Sequence, residues 1–156
     1  MILGSPESGK STLARTLGGT LNVPVCHLDR LYTRDGHKLP TEVSAGLTEE
    51  WTRRDAWIID GNYMATLGLR YARADTVVLL DLPRTLCLWR VLRRSLNARV
   101  PLDERVPLDR RFVRYIWIYR QSQRQHLAAL PDSLHLRLVT LRTPHKVSTF
   151  IRGVQT

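Results

Sequence analysis

Gly4-Ser-Pro-Glu-Ser-Gly-Lys-Ser11 sets two glycines, a lysine and a hydroxyl at the spacing G-x-x-x-x-G-K-[ST]. Glycines let a backbone curl until successive N–H groups point into one concavity, which suits an anion. A helix opening at the end of such a loop adds its first N–H groups and the positive end of its dipole. In that arrangement Lys10 reaches the terminal phosphates of ATP, Ser11 ligates Mg2+, and Thr12 adds a second hydroxyl. The segment Gly4, Ser5, Pro6, Glu7, Ser8, Gly9, Lys10, Ser11 and Thr12 is therefore the expected nucleotide cradle. Glu7 is the anomaly, a carboxylate inside a polyphosphate loop. Because such loops bind through inward N–H groups, its side chain is expected to point outward. A sharper expectation pairs it with Arg90 or Arg94 until ATP displaces it. A left-handed backbone at Glu7 would be strained.

Three carboxylates, Asp29, Asp60 and Asp81, each follow a short apolar run. In open parallel sheets ligands sit beyond the carboxyl ends of the strands, so all three are candidates for the same cleft as the loop. Phosphoryl transfer needs one carboxylate at the acceptor hydroxyl and one at the metal. Asp29 is assigned the first role and Asp81 the second. Arg30, Asp60, Gly61, Asn62 and Tyr63 are assigned to the acceptor pocket.

Eleven arginines and only three acidic residues lie between Arg84 and Arg124, so most of the chain's net charge of +10 sits there. Arg90 and Arg94 share a helix face, four residues apart, and suit the charge on transferring phosphates. Arg110, Arg111, Arg114, Arg120 and Arg124 follow, and the span 84–124 reads as a helix–loop–helix lid. A nucleotide-gated protein that binds nucleic acid through this segment is the alternative, although no groove-reading module accompanies it.

Strands alternate with helices, which predicts an α/β fold with a mainly parallel sheet. Strands are expected at Met1–Leu3, Pro24–Leu28, Ala56–Ile59, Thr76–Leu82 and Leu134–Leu141. Helices are expected at Ser11–Leu21, weakened by Gly18 and Gly19, and at Thr41–Arg54 with Thr41 as N-cap. Further helices follow Pro83, span Leu108–Leu130 and close the chain at Pro144–Arg152. A loop is expected at Asn97–Pro107, and Asp35-Gly36 marks a turn. Three residues are short for a central strand, which leaves room for more chain before Met1.

A chain of 156 residues with 43% hydrophobic and 24% charged residues fits one globular domain. No apolar run is long enough for a membrane span, no secretory signal is visible, and a cytoplasmic location is expected. Cys26 and Cys87 read as core residues, not as a disulfide or metal site. Monomer and homodimer are both open.

With these residues in view the chain resembles the adenylate-kinase-like P-loop kinases, most closely the small bacterial topology modulation proteins or adenylate kinase-related kinases. The matching pieces are GSPESGKSTLA, HLD, WIIDGNY, ADTVVLLDLPRTLCLWRVLRR and LRTPHKV. The resemblance implies a three-layer P-loop NTPase fold, a five-stranded parallel sheet in the order 2-3-1-4-5, ATP with Mg2+, and a helical lid. It also implies that Arg90 and Arg94 meet the ATP phosphates and that the stretch from Arg142 through Pro144 borders the adenine. Adenylate kinases carry D-G-F-P-R and T-G-D-x-L-R where this chain has Asp60-Gly-Asn-Tyr-Met64 and His27-Leu-Asp-Arg-Leu-Tyr32. Both monophosphate clamps are altered, which argues against AMP. The expected activity is phosphoryl transfer from ATP to a small hydroxylated molecule or nucleotide.

Overall fold

The computed structural model describes residues 1–96, 110–128 and 136–155. Five parallel strands form the sheet: β1 (Ile2–Gly4), β2 (Val25–His27), β5 (Ile58–Asp60), β6 (Thr76–Leu80) and β7 (Arg137–Leu141). Their spatial order is β2-β5-β1-β6-β7. Leaving out β3 (Thr33–Arg34) and β4 (His37–Lys38), which pair only with each other, this is the expected 2-3-1-4-5. Asp35 and Gly36 between them have φ of 52° and 78°, as a tight hairpin turn of primed type requires.

Strand side chains alternate between faces, so a strand covered on both sides must be apolar at every position. Ile2, Val78 and Leu80 face one way and pack on Leu13, Ala14 and Leu17 of α1 (Lys10–Leu21). Val147, Phe150 and Ile151 of α7 (Pro144–Gln155) complete that layer. Leu3, Val77 and Leu79 face the other way, against Leu67 and Tyr71 of α4 (Leu67–Tyr71). The architecture is three-layered for this reason. Burying each such side chain contributes roughly 1.5–3 kcal/mol.

Several boundaries differ from expectation. α1 runs through both glycines to Leu21. Gly18 is there for space: a Cβ on it would lie 2.2 Å from Val25 Cγ2, whereas one on Gly19 would meet nothing within 4 Å. α3 (Thr41–Thr52) is preceded by Pro40 as N-cap, so Thr41 is its first helical residue and not its cap. β2 starts at Val25, β5 at Ile58 and β7 at Arg137, while β6 stops at Leu80, because the flanking residues lack ladder partners. α7 continues three residues past Arg152. α5 (Arg84–Leu96) and α6 (Arg110–Ala128) carry the arginine segment. The expected loop at 97–107, and the outer ends of the expected elements at 108–130 and 134–141, lie outside the described residues. Cys26 and Cys87 are both buried, and neither is in a disulfide. No described helix is long and apolar enough to cross a membrane.

Candidate active site

Because the sheet is parallel, its carboxyl ends share one edge. Gly4 pairs with Leu80 in register, and His27 pairs with Asp60. The phosphate loop leaves β1 at that edge and ends at Gly9, whose φ of 94° belongs to glycine. The first helical bond of α1 is Leu13 N–H to Gly9 O at 3.0 Å. The N–H groups of Lys10, Ser11 and Thr12 precede it and have no helical acceptor, so they are available to an anion. Lys10 Nζ donates to Gly4 O and Ser5 O, each at 3.0 Å. Burial pushes the Lys10 ammonium below its ordinary value, and Asp29, Asp60 and Glu7 oppose that shift. Four charges therefore converge on the loop.

Asn62, expected in the acceptor pocket, is bound to the loop itself. Its Nδ2 donates to Gly4 O at 2.8 Å, and its Oδ1 accepts from Gly4 N–H at 3.4 Å. The Ser11 and Thr12 hydroxyls are exposed at the start of α1. Mg2+ takes hard oxygen ligands and keeps several waters, so one exposed hydroxyl beside a polyphosphate suits it better than a closed carboxylate cage. Among the described residues no cluster of three His, Cys, Asp or Glu side chains is placed to hold a metal.

Asp29 sits in the first turn of α2 (Leu28–Leu31), two residues past β2, and is exposed, as is Arg30. Tyr63 lies beside it: burial, then the Asp29 carboxylate, push the Tyr63 phenol up to about 12. Tyr115 of α6 also senses Asp29, although burial is the larger cause of its raised value. The Tyr119 hydroxyl, one turn further on, is buried. Asp60 is 3% exposed and accepts a hydrogen bond from His27 Nδ1 at 2.7 Å. Asp81 is buried one residue past β6, and its carboxylate lies 3.8 Å from Arg142 Nε. That places Arg142 against a carboxylate.

Two arginines of α5 reach the loop. Arg90 Nη1 donates to Glu7 O at 3.2 Å and Ser8 O at 3.1 Å. Arg94 Nη1 donates to Glu7 Oε1 at 2.8 Å. Glu7 has φ of 55°, left-handed for a residue with a Cβ. Its side chain thus turns toward α5 and not freely outward. A cleft of about 720 Å³ opens beside these groups, with Trp89, Arg93 and Pro144 among its walls. Arg93 stacks over Trp89 and Arg84 over Trp117. Arg110 and Arg114 are exposed, and nothing is described of the Arg111, Arg120 and Arg124 side chains.

Two features escaped the sequence reading. His27 was visible only as the residue before Leu28-Asp29, and its partner is 33 positions away. Arg70 is fully buried and donates to Gly61 O at 2.9 Å, Tyr63 O at 2.6 Å and Thr66 O at 3.4 Å. It fixes the segment 61–66 that carries Asn62 and Tyr63. An arginine on a short amphipathic helix gives no sign that it will point inward.

No family model and no curated protein matches the sequence. Solved structures do. A shikimate kinase from Bacteroides thetaiotaomicron superposes with TM-score 0.62 at 14% identity, over 99% of this chain and 94% of that one. The shikimate kinase of Aquifex aeolicus gives 0.58 at 18%, over 99% and 94%. That of Acinetobacter baumannii, in complex with shikimate, gives 0.60 at 17%, over 98% and 88%. The fold is that of the P-loop kinases. At such identities the likeness fixes the architecture, and chemistry rests on the residues themselves.

Proposed function

We propose that this chain is a Mg2+-dependent phosphotransferase that moves the terminal phosphoryl group of ATP to a hydroxyl of a small molecule or nucleotide. One observation carries the reading: Lys10 and the free N–H groups of α1 meet two arginines of α5 at the sheet edge where Asp29 also emerges. Lys10 and the N–H groups of residues 10–12 would hold the phosphates, and the Ser11 hydroxyl would hold the metal, with Asp81 behind it. Bound Mg2+ supplies neutralisation of phosphate charge. Arg90 and Arg94, already at the loop, would exchange Glu7 and the loop carbonyls for phosphate oxygens and stabilise the transferring group. Asp29 would orient the acceptor hydroxyl, with Tyr63 beside it as a neutral donor. Pro144 and Arg142 would border the base.

The arginines that a monophosphate clamp requires are missing from both expected places, and Arg70 is committed to main-chain carbonyls. That supports a small hydroxylated acceptor over AMP, and the likeness to shikimate kinases supports it further. Arg90 and Arg94, both held at the phosphate loop, favour a nucleotide role over a nucleic-acid surface. The test is calorimetry with MgATP, followed by an ATP-consumption screen against sugars, hydroxy acids, nucleosides and nucleotides. Lys10→Ala is expected to abolish measurable MgATP binding. Unchanged affinity in that variant refutes the reading.

A further inference from the structure

Transfer to a hydroxyl releases a proton, and something must take it. A carboxylate in water is in general a weak base at neutral pH, whereas an imidazole is matched to it. His27 is the last residue of β2 and is in register with Asp60, the last residue of β5. Their Nδ1–Oδ1 distance is 2.7 Å. A carboxylate only accepts, so Nδ1 carries a hydrogen, and in the neutral ring the lone pair is on Nε2. Nε2 has no protein partner among the described residues. The His27 side chain keeps 20% of its exposure and Asp60 only 4%, so the open edge of the ring is the one away from Asp60. The charged and titratable groups around the pair are Lys10 from α1 and Cys26 of β2, both of which sense Asp60, with Arg54 and Arg70 also felt at Cys26 and with Asp29 of α2 beside Lys10; Tyr63, and Tyr115 of α6, face Asp29.

We propose that His27 is the proton acceptor of the transfer and that Asp60 positions it, an inference that rests on the kinase reading and deepens it. The acceptor oxygen bonds to the terminal phosphorus as the bond from that phosphorus to the bridging oxygen breaks. The electron pair of the broken bond stays on the β-phosphate of ADP. The hydroxyl proton passes to His27 Nε2, and the Asp60 carboxylate balances the imidazolium. Water takes the proton once the products leave. Asp29 aims the hydroxyl and does not itself have to deprotonate it.

His27→Asn separates the roles, because its amide N–H replaces Nδ1–H toward Asp60 while no base remains at Nε2. His27→Gln breaks the Asp60 bond. Calorimetry with MgADP comes first: failure of the native chain to bind it sinks the kinase reading as a whole, whereas equal binding by native chain and His27→Asn leaves the proton question isolated. Long-range 1H–15N spectra then read the ring directly. In the neutral ring the hydrogen is expected on Nδ1, and adding MgADP with aluminium fluoride, a phosphoryl mimic, is expected to shift the Nε2 resonance. A hydrogen on Nε2, or an Nε2 signal indifferent to the mimic, overturns the proposal. Turnover of MgATP, with water and with any acceptor from the screen, is expected to fall about 10²–10⁴-fold in His27→Asn. His27→Asn should change the pH dependence of the native rate. A rate within a few-fold of native, or an unchanged pH profile, in His27→Asn also overturns it.

Discussion

Replacing Glu7 with glycine should tighten nucleotide binding, and the structure sets the size of the gain. Glu7 is held by Arg94 at 2.8 Å, with the two side chains 22% and 41% exposed. A partly solvated pair of this kind is worth about 0.2–1 kcal/mol, and binding phosphate at Arg94 must break it. The same carboxylate stands near the incoming phosphates, and repulsion between unit charges a few ångströms apart in a wet cleft adds about 1 kcal/mol. Together these predict MgADP binding tighter by about 1–2 kcal/mol, or roughly 5- to 30-fold. Backbone strain enters stability, not affinity. The left-handed φ of 55° costs a side chain roughly 1–2 kcal/mol, and glycine removes that while losing the ion pair and gaining chain entropy when unfolded. Unfolding free energy should therefore change little. Glu7→Gln keeps the strain and removes the charge, so calorimetry should show most of the affinity gain there too, shrinking with added salt. If both variants bind MgADP no more tightly than the native chain, the displaced ion pair is irrelevant and the reasoning fails.

Two glycines on one helix should behave in opposite ways. Gly18→Ala drives a Cβ into Val25 and should lose about 1–3 kcal/mol, while Gly19→Ala meets nothing and should gain about 0.5–1 kcal/mol, both read from denaturant midpoints. Arg70→Met leaves the carbonyls of Gly61, Tyr63 and Thr66 without their donor inside the protein and should cost about 3 kcal/mol or more, with only partial rescue by lysine. At alkaline pH, burial and then Asp60 push the Cys26 thiol from 9.0 up to about 12, and Tyr63 rises from 10.0 to about 12. The folded chain keeps these protons longer than the unfolded one. Their stabilisation is thus complete below about pH 9 for the thiol and pH 10 for the phenol, and it vanishes as pH climbs to 12. Urea midpoints should fall across that window, and Cys26→Ala should flatten the fall while lowering stability at pH 7 by about 1 kcal/mol.

The phosphate loop was legible because its chemistry is written in eight consecutive residues. β6 was legible because a strand covered on both faces must be apolar throughout. Arg90 and Arg94 were legible because four residues on a helix make one face. The contacts of His27, Asn62 and Arg70 were not, for a common reason: each depends on partners set by strand register or by the path of a turn, not by local spacing. Asn62 reads as a pocket residue until β5 is placed beside β1, which brings it to Gly4, 58 positions away. The β3–β4 hairpin announced its turn through Asp35-Gly36 but not its strands, since two exposed residues on each side carry no alternation.

β1 has only three residues, all buried, and lies between β5 and β6 in the middle of the sheet. Its amide hydrogens should be among the last to exchange with solvent, released only by global unfolding. The loop that follows Gly4 begins one peptide later. Slow-exchanging amides therefore adjoin those proposed to bind phosphate, and exchange rates along residues 2–12 should step from the global free energy to a local one within a few positions. Nucleotide could then come and go on a rigid footing, with opening confined to the arginine contacts of α5.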